Sequence, residues 1–148
     1  MATPAPMTVV TIGYQGRQLD ELIAELSGRG VALVFDVREN AISRKPGFSK
    51  RRLGEALAVA GIGYRHVPAL GNPRRNRDAF RAGEPAAREV FKRRIAVGSP
   101  AALDEIAGVA ATTTVALLCF ERDHASCHRS GIAELLVARQ PDLRIEAV

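Results

Sequence analysis

The stretch VALVFDVR, residues 31–38, runs apolar for five residues and then closes on Asp36, Val37 and Arg38. A strand with one wet face alternates apolar and polar residues. A run without alternation reads as a strand covered on both faces, which is the pattern of parallel sheets flanked by helices. The neighbouring sequence agrees. Upstream, LDELIAELSGRG (19–30) places Leu19, Leu22, Ile23 and Leu26 at helical spacing, with Gly28 or Gly30 to end the helix. Downstream, SKRRLGEALAVAG (49–61) opens on Ser49 as a capping residue and puts Leu53, Leu57 and Ala60 on one face.

Further out, the same alternation continues. TVVTIG (8–13), IGYRHV (62–67), TTTVALLCF (112–120) and LRIEAV (143–148) read as strands. Residues 84–97, 99–110 and 127–139 read as helices, the second with Ser99 as N-cap and Pro100 at its first position. The segment PALGNPRRNRDAFRAGE (68–84) reads as a loop, either a mobile flap or an extra helix. Strand–helix alternation predicts one α/β domain over residues 8–148, after a disordered tail of residues 1–7. The expected architecture is a mainly parallel open sheet of about five strands with helices on both faces, a three-layer Rossmann-like or flavodoxin-like arrangement.

Composition narrows the function classes. The 148 residues suit one domain with a real core, and the absence of Trp makes that core aliphatic. No apolar run approaches the roughly 20 residues that span a bilayer. MATPAPMT has neither the basic start nor the apolar stretch of a signal peptide. Two cysteines are too few for a disulfide scaffold, so the expectation is a cytoplasmic protein with reduced thiols and no membrane partner. The net charge of +5 is unevenly placed. Arg38–Arg52 holds six Lys/Arg and one acid, and Arg74–Arg94 holds eight and three, so each stretch carries +5 and the rest of the chain −5. Concentrated base suits a nucleic acid or another polyanion, because each neutralised phosphate also releases counterions.

In open parallel sheets, ligands sit beyond the carboxyl ends of the strands. The polar residues expected at that edge are Tyr14, Gln15, Asp36, Arg38, His66, Asn72, Cys119, Glu121 and Cys127. Asp36 and Glu121 are candidate catalytic carboxylates, beside Arg38 and Arg129, because two carboxylates in unlike environments can divide acid and base work. A fold-holding salt-bridge network is the competing reading of the same four residues, which are expected to form one cluster.

Both cysteines and two of the three histidines fall in LLCFERDHASCHRSGIAELL, 117–136. Cys119, His124, Cys127 and His128 could hold zinc, but the spacing differs from paired knuckles, and adjacent side chains in a helix's first turn point about 100° apart. No metal is therefore expected. A strand end and the next helix start can also approach within disulfide distance. Cys127, with Ser126 as N-cap of the last helix, is a candidate catalytic thiol, with His128 and Arg129 adding positive potential. Asp-Val-Arg followed by a cysteine at such a turn is similar to rhodaneses and tyrosine phosphatases. The phosphatase loop needs C-x5-R, however, and Ala133 stands there. The favoured reading makes Cys119 a small buried hydrophobe and Glu121 the working group.

AISRKPGFSKRR (41–52) offers an anion site. Ser43, Arg44, Lys45, Arg51 and Arg52 could meet phosphates, Gly47 permits close approach, and Phe48 could stack on a base. Neither a P-loop nor G-x-G-x-x-G is present, so no nucleotide cofactor is expected.

The ordered set TIGYQG, DVREN with ISRKPGFSK, GIGYRHVPALGNP, LLCFE and CHR resembles the domain of unknown function 488 family, over residues 8 to 138. The resemblance implies a bacterial intracellular α/β domain with two characteristic cysteines, matching Cys119 and Cys127. It implies no reaction. The chain has TIGYQG where a His-Ser pair is common in that family. The function expected from the sequence is nucleic-acid binding, extending to modification or repair. The alternatives are a cysteine-dependent enzyme on a small phosphorylated or sulfur-bearing metabolite, and a non-catalytic interaction module.

Overall fold

Strand β2 (Leu33–Asp36) has three of its four residues buried, and β4 (Val115–Cys119) is buried throughout. In β4, alternate residues enter opposite layers. Val115, Leu117 and Cys119 join one core cluster, while Ala116 and Leu118 join the other. Covered on both faces, these strands have no need of polar alternation. Each fully buried leucine contributes ~1.5–3 kcal/mol of transfer free energy.

This computed structural model describes residues 7–148. Residues 1–6 of the expected tail lie outside them, and the carbonyl of Met7 accepts a hydrogen bond from Arg144 N at 2.7 Å. Among the described residues, the chain runs β1 (Thr8–Gly13), α1 (Leu19–Gly28), β2, α2 (Lys50–Val59), β3 (Gly63–His66), α3 (Arg74–Arg81), α4 (Pro85–Gly98), α5 (Pro100–Ala110), β4, α6 (Arg129–Arg139) and β5 (Arg144–Ala147). The sheet is parallel throughout, in the order β3-β2-β4-β1-β5. Leu22 and Leu26 of α1, with Leu53 and Leu57 of α2, cover one face. Phe80, Phe91, Ile95, Leu103, Ile106 and Leu136, from α3 to α6, cover the other. This is the expected three-layer α/β architecture.

Local differences have physical causes. Segment 68–84 is mostly structured: a 3-10 turn at Pro68–Leu70, then α3, closed by Gly83 at φ +81°. Phe80 is the anchor, packing edge-on against Phe91 at 5.8 Å. Ser49 stands at the N-cap of α2 without capping it, because its hydroxyl accepts from Ser43 N at 3.0 Å. The last helix starts at Arg129 with His128 as N-cap, and Ser126 instead donates to Asp123 Oδ2 at 2.6 Å.

Two glycines are required by close approach. A Cβ at Gly13 would overlap the carbonyl of Glu121, and one at Gly71 would stand 2.5 Å from Glu39 Cα. Both press cleft-forming loops onto the sheet's carboxyl edge.

Candidate functional site

The carboxyl edge holds a cleft of about 650 Å³. Tyr14, Arg38, Asn72, Cys119, Glu121 and His128 line it, as expected for an edge where four strand ends meet. So do residues not expected at that edge: Glu39, Asn40, Ile42, Phe120, Ser126, and Arg74, Arg77 and Arg81 of the second basic stretch. The cleft-lining arginines of α3 fall at positions 74, 77 and 81, one helical face. That spacing was legible once the segment is taken as a helix. Phe120 follows a strand and reads as its last apolar residue. It is 44 % exposed, held edge-on by Tyr14 at 5.4 Å.

The four residues expected to form one polar cluster form two. The first is Asp36 with Arg38. Arg38 Nε donates to Asp36 Oδ1 at 2.9 Å and Nη2 to Oδ2 at 2.6 Å, a two-point fork. Tyr64 OH donates to the same Oδ2 at 2.5 Å. Arg38 Nη1 donates to Phe48 O at 2.7 Å and lies 3.3 Å from Tyr14 OH. Burial opposes the charge on Arg38, but the bonds and charge of Asp36 outweigh it and hold the guanidinium above its ordinary range. Burial first, then the bond to Asp36, pushes the Tyr64 hydroxyl up. Asp36 is 0 % exposed, so this candidate catalytic carboxylate is sealed below the cleft.

The second cluster centres on Arg129, which is also 0 % exposed. Its Nε lies 3.2 Å from both Cys119 Sγ and Cys127 Sγ. Nη2 donates to the backbone carbonyl of Glu121 at 2.6 Å, and Nη1 is buried with no hydrogen-bond partner among the described residues. The expected Glu121–Arg129 ion pair is not formed among the described residues; the Glu121 carboxylate faces Arg81 Nη2 at 3.4 Å instead. Burial dominates at Arg129, lowering its pKa to about 10 despite the attraction of Glu121. The two cysteine sulfurs are in direct contact, with Cα atoms 7.8 Å apart. Unstrained disulfides span ~4.4–6.8 Å between Cα atoms, so the wider span here suits two facing thiols.

His128 joins the two clusters. Its Nε2 lies 2.7 Å from the carbonyl of Val37, between Asp36 and Arg38, and its Nδ1 lies 3.6 Å from Cys127 Sγ. Burial lowers its pKa to about 4, against the pull of the Val37 carbonyl. Cys127 is extended (φ −102°, ψ 147°) and precedes α6 rather than sitting in its first turn. The expected divergence of Cys127 and His128 therefore does not arise. Nor is Cys127 an exposed thiol at a helix start: it is 0 % exposed, and Cys119 is the sulfur that lines the cleft. His124 points elsewhere, with Nδ1 2.7 Å from Thr11 Oγ1.

Other expected residues lie off the cleft. Gln15 is exposed and accepts from Arg122 N at 3.0 Å, and His66 Nε2 meets the Arg38 carbonyl at 2.7 Å. The loop 41–52 is not built as a phosphate cradle. Phe48, expected to stack on a base, is 0 % exposed and stacks on Tyr14 at 4.5 Å. Lys50 N, at the start of α2, is taken by Ala41 O at 2.8 Å. Ser43 bonds Ser49, Lys45 Nζ reaches Tyr14 O at 3.4 Å, and Arg51 pairs with Glu55 at 3.3 Å. Arg44 and Arg52 are exposed on the surface.

No helix among the described residues is long and apolar enough to cross a membrane. No curated protein and no solved structure matches the chain. The model of one family, described as domain of unknown function DUF488, matches residues 18–136. That span takes in both arginine stretches, both cysteines and every lining residue of the cleft but Tyr14, and the chain belongs to this family.

Proposed function

We propose that the protein binds nucleic acid through this cleft, taking an unstacked nucleotide of a single strand against Phe120 with its phosphates on arginines. One observation carries the reading: Arg38 from the first basic stretch and Arg74, Arg77 and Arg81 from the second face one cleft whose lip is a half-exposed phenylalanine. Cationic grooves with an aromatic platform are the recurring solution for single strands. The Arg74 side chain is exposed and makes no hydrogen bond or ion pair with the other described residues, so its charge is available. Arg77 and Arg81 pair with Glu39 and Glu121 at 3.2 and 3.4 Å, which aims them across the opening. A base carried inward meets Cys119 and Glu121, and modification or repair chemistry belongs to those two groups. A cytoplasmic, bacterial setting completes the reading.

Fluorescence anisotropy with labelled single- and double-stranded oligonucleotides, DNA and RNA, tests it. Wild type binds single strands, and its affinity falls with salt. Replacing Arg74 and Arg81 by alanine reduces the salt slope by about 1.4, at ~0.7 per phosphate contact. Phe120→Ala weakens binding by ~1–3 kcal/mol and leaves the slope alone. No affinity at about 50 mM salt, where such contacts are strong, ends the proposal. Thiol-dependent turnover of a small metabolite without oligonucleotide binding favours the second reading, that of a cysteine enzyme, since Cys119 lines a cleft of small-ligand size.

A further inference from the structure

We propose that Cys119, Cys127 and His128, with Glu121 as a fourth and exchangeable donor, form a binding site for a thiophilic divalent cation, Zn(II) foremost, at the floor of the cleft. The donor atoms of these four residues all lie within 4.8 Å of one another. A tetrahedral zinc with bonds of ~2.3 Å to sulfur and ~2.0–2.2 Å to nitrogen and oxygen sets its donors ~3.5–3.8 Å apart. Two edges of that tetrahedron are already in place: Cys127 Sγ to His128 Nδ1 at 3.6 Å, and Cys119 Sγ to Glu121 Oε1 at 3.8 Å. The cysteine Cα atoms, 7.8 Å apart, stand wider than a disulfide asks. An ion placed between the sulfurs lengthens the bridge to suit that span.

The histidine is oriented for ligation. Nε2 meets a carbonyl oxygen, which only accepts, so the ring proton is on Nε2 and the lone pair is on Nδ1. Nδ1 faces the sulfurs. A backbone carbonyl fixing the tautomer from behind is the usual outer support of a metal-bound histidine. Charge points the same way. Arg129 is a fully buried cation with no carboxylate within ion-pair distance among the described residues, and its Nε–H is shared by both sulfurs. Two thiolates give that N–H the anionic acceptors it lacks. A divalent ion (+2), two thiolates (−2), Glu121 (−1) and Arg129 (+1) sum to zero, so loading with release of two protons leaves the set neutral, as it is with two thiols. Binding is balanced as two Sγ–H bonds broken, two metal–sulfur bonds formed and two protons released to solvent. Cys119, Glu121 and His128 line the cleft, and Glu121 also reaches Arg81, so its withdrawal opens the fourth position toward whatever the cleft holds.

The test uses the full chain, fully reduced, with Co(II) and then Zn(II) alone. It contains no nucleic acid, so its outcome is independent of the cleft reading. One Co(II) per chain is expected, with thiolate-to-cobalt charge-transfer absorption and tetrahedral d–d bands, displaced by Zn(II) with release of about two protons. Both thiols become resistant to an alkylating reagent on loading. Cys119→Ser and Cys127→Ser each abolish the charge-transfer intensity of a two-thiolate site, and His128→Ala weakens binding about 100-fold. Circular dichroism establishes that each variant is folded. Where one is not, the wild-type spectrum and proton count decide. A reduced wild-type chain without the cobalt–thiolate band, or with binding unchanged in folded cysteine variants, overturns the site.

Discussion

Two buried arginines stand on the same sheet edge, and their surroundings are opposites. Arg38 is met by a two-point carboxylate, a carbonyl and a nearby tyrosine hydroxyl. Arg129 is met by two sulfurs and one carbonyl, and one of its nitrogens has no partner among the described residues. A matched ion pair holds a fold; an unmatched one stores unfavourable electrostatics that a ligand can relieve. The first cluster therefore carries structure, and the second is the one the proposed ion would relieve.

The sharpest way to break this contrast is Asp36→Asn, which strands Arg38 in the interior. The expected loss is about 3–5 kcal/mol of unfolding free energy in urea or thermal melts. A loss under ~1 kcal/mol would make the Asp36 cluster dispensable. Tyr64→Phe removes one charge-assisted bond to Asp36 and should cost about 1.5–3 kcal/mol by the same measurement. Arg129→Met removes an unmatched charge and keeps its packing volume. Its stability should stay within about 1 kcal/mol of wild type, or rise. A loss as large as that of Asp36→Asn would merge the two clusters into one structural network. The smallest effect belongs to Glu121→Gln. Among the described residues its carboxylate bonds the exposed Arg81 and the Cys119 thiol, so a change of about 0.5 kcal/mol or less is expected.

Legibility followed the same division. Continuous apolar runs at residues 31–35 and 115–118 exposed the sheet, because burial on both faces erases alternation. Strand ends then placed Tyr14, Arg38, Asn72 and Cys119 at one edge. Rotamers and loop paths were beyond that reading. Phe48 and Phe120 are both aromatic residues next to polar loops. One is covered because Tyr14 lies flat on it, and the other is open because β1 stops at Gly13 beside it. Arg129 lies in sequence among residues that read as a solvated helix start. It is buried because α4 covers that end of α6, where Gly131 lets Phe91 approach closely. The convergence of Cys127 and His128 depended on one backbone conformation, extended rather than helical at Cys127.

The strand order has a consequence for how the chain acquires this site. β1 and β2 are not neighbours; β4 lies between them, pairing with both. During synthesis, β2 can pair with β3 early, but β1 has no partner until residue 115 and beyond have left the ribosome. Such distant pairings close large loops and form late. The strand that joins β1 to β2 ends in Cys119, and the helix that follows it begins just after Cys127. The thiol pair therefore comes together with the strand that ties the two halves of the sheet, before β5 adds its edge.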